Sequence, residues 1–116
     1  MDHETKRITV DTKGDYTVMG FRDADILDQV NIHEMGKEMY AVVEGSPGIK
    51  LIVDFDGVRF LSSSALGKLI SLKRKVEETS GTLKMCRIKP EIMEVFRITK
   101  LDTVFDVYPD LDAAMA

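Results

Sequence analysis

Residues 51–69 have the sequence LIVDFDGVRFLSSSALGKL, and this stretch decides the fold class. It opens with a continuous apolar run, residues 51–53, that ends at Asp54, a pattern typical of a strand buried on both faces. Three serines follow Leu61 and precede apolar residues at helical spacing. The stretch therefore predicts a buried strand, a short loop and the start of a helix, as in an α/β protein whose helices cover a central sheet.

The helix after the serines is predicted to continue to about Ser80, with Gly81 as its C′ residue. Its one apolar stripe fits a helix that packs on one face of a sheet. The positions predicted to be buried are Leu66, Leu69, Ile70, Leu72 and Val76. The positions predicted for the opposite, solvated side are Lys68, Ser71, Lys75 and Glu78.

The residues before this stretch predict a β-hairpin and a helix. The hairpin strands are predicted at residues 5–11 and 16–21, joined by a turn at residues 13–15. The helix is predicted from about Ile32, with Asn31 as its N-cap and Glu34 completing a capping-box pattern. Residues 45–48, Gly-Ser-Pro-Gly, end it. Its predicted apolar positions are Ile32, Met35, Met39, Val42 and Val43.

The residues after this stretch complete the pattern. Residues 82–88 predict a strand, and Pro90 stands where a first helical residue is favoured, in a helix that ends near Lys100. Residues 103–108 predict a last short strand, and residues 110–116 a terminal helical turn. The order β-β-α-β-α-β-α-β-α predicts a single α/β domain over residues 1–116, with a mixed sheet of four to five strands and about four helices.

The composition argues against several classes of partner and compartment. Lys and Arg number 16 against 20 Asp and Glu, and this balance predicts no binding to nucleic acid. No apolar run approaches the roughly 20 residues of a membrane helix, so no membrane insertion is expected. Residues 1–10 lack the apolar segment of a signal peptide, and Cys86 has no partner for an internal disulfide. These features predict a cytoplasmic protein that binds another protein or a small ligand.

The candidate functional feature is the serine cluster, defined as Ser62, Ser63 and Ser64. The free N–H groups and the dipole of a helix start favour an anion, and a phosphoserine there would carry about −1.5 to −2 charges. The fold should therefore tolerate phosphorylation, and the effect would fall on a partner docked over the helix start. Helix capping explains one serine more simply, but it does not explain three.

The segment from Phe60 to Gly67, Phe-Leu-Ser-Ser-Ser-Ala-Leu-Gly, follows a buried strand that ends in Asp. Together they resemble the Asp-Ser-Ser/Thr-Gly-Leu-Gly signature of the STAS-domain anti-sigma factor antagonists. The resemblance covers nearly the whole chain. Residues 20–23, Gly-Phe-Arg-Asp, are similar to the family's Gly-x-x-Asp, and residues 81–83, Gly-Thr-Leu, match the glycine before its fourth strand. Residues 95–108 are similar to the family's ending.

This resemblance implies a partner-switching cycle. In the family, the unphosphorylated antagonist binds an anti-sigma factor that is also a serine-protein kinase, phosphorylation ends the interaction, and a serine phosphatase restores it. By position, the implied phosphorylated residue is Ser63, with Ser64 as second choice, and no cofactor is implied. The implied partner contacts are Ser62, Ser63, Ser64, Asp23 and Lys68.

Two residues depart from the signature: Ser62 replaces its Asp, and Ala65 replaces its Gly. Loss of the acid beside the acceptor leaves a second interpretation open, a non-phosphorylated adaptor or scaffold subunit of a signalling or transport complex. A third interpretation, an enzyme acting through a serine, needs a base within hydrogen-bond reach. His3 and His33 are the two imidazoles, neither is predicted near the cluster, and no catalytic residue is predicted.

The remaining candidate residues have structural interpretations. Neither histidine has the spacing of a metal ligand, so no metal site is predicted. Asp54 and Asp56 could form a carboxylate pair, although turn chemistry explains them more simply. Cys86 is interpreted as a small core residue of a strand. Residues 73–75, Lys-Arg-Lys, are interpreted as a solvated face that could also steer an acidic partner.

Overall fold

The computed structural model describes residues 5–116, and His3 lies outside the described residues. The strands are β1 (Ile8–Lys13), β2 (Tyr16–Phe21), β3 (Asp25–Ile26), β4 (Lys50–Asp54), β5 (Phe60–Leu61), β6 (Thr82–Cys86) and β7 (Asp106–Tyr108). The helices are α1 (Gln29–Glu44), α2 (Ser63–Glu78), α3 (Pro90–Ile98) and α4 (Leu111–Met115), and Leu101–Thr103 form a 3₁₀ turn. Among the described helices, none is long and apolar enough to cross a membrane.

Strand β4 lies at the centre of a mixed sheet. Within residues 5–116, five strands form this sheet in the order β1-β2-β4-β6-β7, and the pairs from β2 to β7 are parallel. The β1–β2 pair is an antiparallel hairpin that turns at Gly14, where φ is 59°. The predicted α/β fold with a mixed sheet and four helices is confirmed.

The apolar run of β4 is buried because both faces of the sheet are covered. Leu51 and Val53 belong to a large core with residues of α1, α2 and α3. Ile52, between them in sequence, belongs to a second cluster with Cys86 and with Ala114 of α4. Alternate residues of a strand point to opposite faces. Three helices therefore cover one face and α4 the other, and the interpretation of Cys86 as a small core residue is confirmed.

Helix α1 begins one turn earlier than predicted. Its N-cap is Asp28, whose Oδ1 accepts a hydrogen bond from the Asn31 N–H at 3.0 Å, so Asn31 is a helical residue. Glu34 is not a capping-box residue, and its Oε1 lies 3.6 Å from Nε of Arg7. Val30 obscured this start because it lies in the first turn but is exposed, outside the buried stripe. The earlier start brings Gln29 to the beginning of α2.

Strands β3 and β5 were not predicted from the sequence. They pair in parallel, with Asp25 opposite Phe60 and Ile26 opposite Leu61, and Arg59 forms an ion pair with Asp25 at 3.0 Å. Two-residue strands are too short to show a periodic pattern. Their pairing joins the connection before α1 to the connection before α2. The beginnings of the two helices are thereby held side by side.

Helix α2 ends in a Schellman motif, one position away from the prediction. Ser80, not Gly81, has the left-handed backbone of the C′ residue, with φ 61°. Its N–H donates to the Glu77 carbonyl at 3.0 Å, and the Gly81 N–H donates to the Val76 carbonyl at 2.9 Å. Gly81 serves a different need, because a Cβ atom there would lie 2.5 Å from the carbonyl oxygen of Ile49.

The side of α2 predicted to be solvated is partly an interface with α1. Lys68, Ser71 and Lys75 are half-buried, whereas Glu78 is exposed as predicted. The Tyr40 hydroxyl of α1 donates to the Lys68 carbonyl at 3.3 Å, and Nζ of Lys75 lies 3.3 Å from Oε2 of Glu44. The two helices pack on each other as well as on the sheet, so α2 buries more of its surface than one apolar stripe indicates.

Candidate functional site

Ser62 is the N-cap of α2. Its Oγ accepts a hydrogen bond from the Ala65 N–H at 3.2 Å, and its backbone is extended. Its own N–H donates to the Ile26 carbonyl of β3 at 3.0 Å. The capping interpretation of one serine is therefore confirmed, and it applies to the residue that stands where the signature has Asp.

Ser63 is the first residue of α2, and its side chain is exposed to solvent. Its hydroxyl makes no hydrogen bond with any side chain or backbone group in the described part of the chain. The first N–H groups of a helix have no partner within the helix, and the positive end of the dipole lies there. The hydroxyl is thus accessible and sits in a field that favours negative charge.

Ser64 has a third environment. It is half-buried, and its Oγ accepts a hydrogen bond from Nε2 of Gln29 at 3.0 Å. It lines an open groove between the first turns of α1 and α2, which we call the α1–α2 groove. The groove is lined by Gln29, Ile32, His33, Ser64, Gly67, Lys68 and Ser71. The three consecutive serines therefore present a cap, a free hydroxyl and a groove wall.

The expectation that neither histidine lies near the serine cluster is wrong for His33. His33 lines the same groove as Ser64, because α1 begins earlier than predicted and its first turns lie beside α2. A serine nucleophile needs a base within hydrogen-bond reach. Ser64 is instead paired with the Gln29 amide, a donor, and His33 forms no hydrogen bond with any serine of the cluster.

Lys68 lines the same groove, one turn after Ser64 on α2. Its side-chain stem lies across Gly36 of α1, where an added Cβ atom would be 3.0 Å from Cδ of Lys68. The predicted contacts Ser62, Ser63, Ser64 and Lys68 thus lie together at the beginning of α2. Only the fold brings the α1 residues to them, since Gln29 and Ser64 are 35 positions apart.

Asp23 lies in a different ionic group. Its Oδ2 accepts a hydrogen bond from Nη1 of Arg7 at 3.2 Å, and the guanidinium of Arg7 also lies 3.6 Å from Glu34. The hydrogen bond to Asp23 raises the pKa of Arg7, and the charges of Asp23 and Glu34 add to this effect. Asp23 makes no hydrogen bond with the serine cluster among the described residues. In this structure it joins the start of β1 to the end of β2.

Asp54, at the carboxyl end of β4, forms an ion pair that the sequence did not reveal. Its side chain accepts two hydrogen bonds from the guanidinium of Arg87, one of them from Nε at 3.0 Å. Its Oδ1 also accepts from the Asp56 N–H at 3.0 Å, which confirms the interpretation by turn chemistry. The hydrogen bonds to Asp54 raise the pKa of Arg87. Arg87 directly follows β6 and has a left-handed backbone, φ 57°, a geometry that local sequence patterns do not indicate.

Burial makes Cys86 a poor nucleophile. The side chain is fully buried, and its burial raises the pKa of the thiol to about 12, with a further contribution from the charge of Asp54. A nucleophilic cysteine needs a lowered thiol pKa and access to solvent. Cys86 is therefore a core residue and not a reactive site.

Three exposed apolar side chains lie on the segments that adjoin the serine cluster. Phe60 of β5 is 55% exposed, Leu27 after β3 is 53% exposed, and Val30 in the first turn of α1 is 72% exposed. The pairing of β3 with β5 places Leu27 and Phe60 at the same end of the molecule as Ser63. We call these three residues the apolar rim. Exposed apolar side chains grouped together beside polar residues are typical of protein-binding surfaces.

Comparison with known proteins identifies the family of this chain. The model of the STAS domain matches residues 9–114. This chain belongs to the STAS domain family. A relative named as an anti-sigma factor antagonist, BtrV of Bordetella bronchiseptica, is 24% identical over 91 residues, which cover 78% of each chain. The family resemblance drawn from the serine signature is confirmed.

Solved structures of STAS proteins have the same fold. An anti-sigma factor antagonist (STAS) domain protein from Planctomyces limnophilus has a TM-score of 0.84 and 25% identity, covering 93% of this chain and 94% of its own. An anti-sigma factor antagonist from Mycobacterium paratuberculosis has a TM-score of 0.80 and 25% identity, covering 99% and 96%. The chain therefore has the STAS fold along nearly its whole length.

Proposed function

We propose that this STAS protein is an anti-sigma factor antagonist that acts in the cytoplasm as a phosphorylation switch. Unphosphorylated, it binds an anti-sigma factor with serine-protein kinase activity over the beginning of α2. The kinase then phosphorylates Ser63, with Ser64 as second choice, and the complex dissociates until a serine phosphatase removes the phosphate. The observation that carries this proposal is the exposed hydroxyl of Ser63, which has no hydrogen-bond partner among the described residues.

The environment of Ser63 suits a switch whose effect falls on the partner. A phosphate on the first residue of α2 meets free N–H groups and the positive end of the dipole, so the fold tolerates it. The same phosphate would bring about −1.5 to −2 charges next to the segments that carry the apolar rim, and such a charge opposes an apolar interface. Phosphorylation can therefore end binding without unfolding the antagonist.

The docking surface in this proposal comprises the serine cluster, Lys68 and the apolar rim. Phe60 and Val30 supply apolar area, and Lys68 supplies a positive charge beside Ser64. Asp23 is a less direct contact, because its carboxylate is paired with Arg7. Its substitution should weaken binding less than substitution of Phe60.

The test combines a candidate kinase-type anti-sigma factor, encoded in the same genome, with the antagonist and ATP. Mass spectrometry locates the phosphate, and size-exclusion chromatography measures the complex before and after ATP is added. We expect phosphate on Ser63 and loss of the complex. Ser63→Ala should bind and resist release, and Ser63→Asp should bind at least tenfold more weakly. Ser46→Ala, an exposed serine after the other end of α1, is the matched control. A complex that ATP leaves intact, with every cluster serine unmodified, would contradict the switch.

A second candidate function is that of a constitutive adaptor or scaffold subunit. Ser62 favours it, because the cap is retained while the negative charge beside the acceptor is absent. An adaptor should bind its partner with the same affinity in the presence and absence of kinase and ATP. Loss of that partner on phosphorylation of Ser63 would exclude this function.

A further inference from the structure

We propose that the α1–α2 groove is a phosphate-binding site for a phosphoryl group carried by Ser64, held by Lys68, His33 and Gln29. The ligand is a phosphate monoester attached to the protein itself. The biological use of this site rests on the proposed function, because a kinase must deliver the phosphate. Two adjacent serines would then have different effects: phosphate on Ser63 faces the partner, whereas phosphate on Ser64 joins α1 to α2.

Two facing pairs of residues form the site. Ser64 and Lys68 are four positions apart on α2, and Gln29 and His33 are four positions apart on α1, so each pair lies on one face of its helix. Nε2 of Gln29 already donates to the hydroxyl of Ser64 at 3.0 Å. A phosphate at this hydroxyl would project along the groove, where the amide of Gln29 remains a donor and the side chains of Lys68 and His33 lie one turn further on.

The side chains lining the groove suit an anion. Its lining includes the ammonium-bearing Lys68 and the imidazole of His33, and it contains no carboxylate among the described residues. Lys73 and Lys75 of the same helix are neutralised by Glu77 and Glu44. Lys68, by contrast, forms no ion pair with any residue between 5 and 116. Its stem is held across Gly36, so the groove keeps an uncompensated positive charge in a defined place.

Ser63 and Ser64 share the helix dipole but not the groove. Both lie in the first turn of α2, where the dipole and the free N–H groups favour a phosphate at either residue. Ser63 is exposed and outside the groove lining, whereas Ser64 is a wall of it. A difference in pKa between phosphates at the two positions therefore measures the effect of the groove and not that of the helix end.

The modification is an ordinary phosphoryl transfer. The Oγ of Ser64 attacks the γ-phosphorus of a nucleoside triphosphate bound to the kinase, and a new O–P bond forms. The bond to the leaving nucleoside diphosphate breaks, and the hydroxyl proton passes to a base of the kinase. The hydrogen bond from Gln29 to the hydroxyl oxygen is replaced by hydrogen bonds from Gln29 and Lys68 to phosphate oxygens.

The test places phosphoserine at position 63 or at position 64 during translation, by suppression of a stop codon, and needs neither kinase nor partner. Titration followed by ³¹P NMR gives the second pKa of each phosphate, which is about 6 for a free phosphoserine. We expect the pKa at position 64 to be at least about half a unit below that at position 63, because a nearby cation favours the dianion. We also expect a melting temperature higher by a few degrees at position 64.

Variants identify the groups responsible. Lys68→Met keeps the apolar stem over Gly36 and removes the charge, so it should abolish most of the pKa difference, and His33→Gln should reduce it. Arg74→Met, the same change of charge at an exposed position of α2, should leave the difference intact. Equal phosphate pKa values at positions 63 and 64 would overturn the assignment. So would a pKa difference that Lys68→Met leaves unchanged, provided that circular dichroism shows the variant to be folded. Either result would leave the proposed phosphorylation switch at Ser63 unaffected. Failure to find the kinase would likewise leave the proposed phosphate site in the groove unaffected.

Discussion

Replacing Ser62 by alanine removes the hydroxyl that caps α2, and we expect the free energy of unfolding to fall by about 1 kcal/mol. The structure sets this magnitude. The lost contact is one neutral hydrogen bond, from the Ala65 N–H to Oγ at 3.2 Å, and Ser62 is half-buried, so water can partly replace it. Ser62→Asp should behave oppositely. It keeps an acceptor for the same N–H and adds a negative charge at the positive end of the dipole, worth about 0.3–1 kcal/mol.

Urea denaturation followed by circular dichroism measures these changes. With a slope of about 1.5 kcal/mol/M, Ser62→Ala should lower the midpoint by about 0.7 M. Ser63→Ala is the matched control, because the adjacent hydroxyl makes no hydrogen bond within residues 5–116, and its midpoint should stay within about 0.3 M of the parent. Equal losses in the two alanine variants, or a less stable Ser62→Asp, would refute the assignment of Ser62 as the cap.

Further predictions follow from other parts of the fold. Gly81→Ala should lower the free energy of unfolding by about 2 kcal/mol, since its Cβ would lie 2.5 Å from a backbone oxygen. Gly67→Ala, where nothing lies within 4 Å, should raise it by about 0.5–1 kcal/mol, and chemical denaturation of both variants checks the opposite signs. Burial raises the pKa of Cys86 to about 12 in the folded state, above the unfolded value of about 8.5, so this thiol should leave stability unchanged below pH 8 and lower it as pH rises towards 12. Cys86→Ala should flatten that decline in a pH series of melting temperatures, and an unchanged slope would contradict it. Phe60→Ser should weaken partner binding at least tenfold with little change in melting temperature, as measured by titration with the anti-sigma factor. In the same titration Val10→Ser, at a similarly exposed position of the edge strand β1, should leave binding unchanged.

Much of the fold was predictable because its signals are local. The apolar run of β4 has to be covered on both faces, which requires an α/β layer structure. Pro90 is the first residue of α3, as its fixed φ and missing N–H favour. Ser62 caps α2 because a serine before an apolar-periodic segment can accept from the first free N–H groups. Each of these features depends on residues within one or two helical turns of one another.

The features that were missed depend on residues far apart in the chain. Strands β3 and β5 are stable only because they pair with each other across 35 positions, as Asp25 does with Phe60. The apolar pattern of α1 does not indicate Asp28 as its cap because the first turn of the helix is exposed on the side where Val30 lies. The periodicity of α2 predicts a solvated Lys68 because it shows which face of the helix meets the sheet, but it does not show that a second helix lies alongside.

The serine cluster shows which features follow from the local sequence and which depend on the tertiary structure. By itself, the sequence determined that three hydroxyls begin a helix after a buried strand, since periodicity and capping preferences act over a few residues. Only the tertiary structure decided that Ser63 faces solvent while Ser64 faces Gln29 and the groove. The reason is physical: the direction of a side chain acquires a meaning only when the neighbouring helix is in place. Here α1 is held beside α2 by its packing in the main core and by the pairing of β3 with β5.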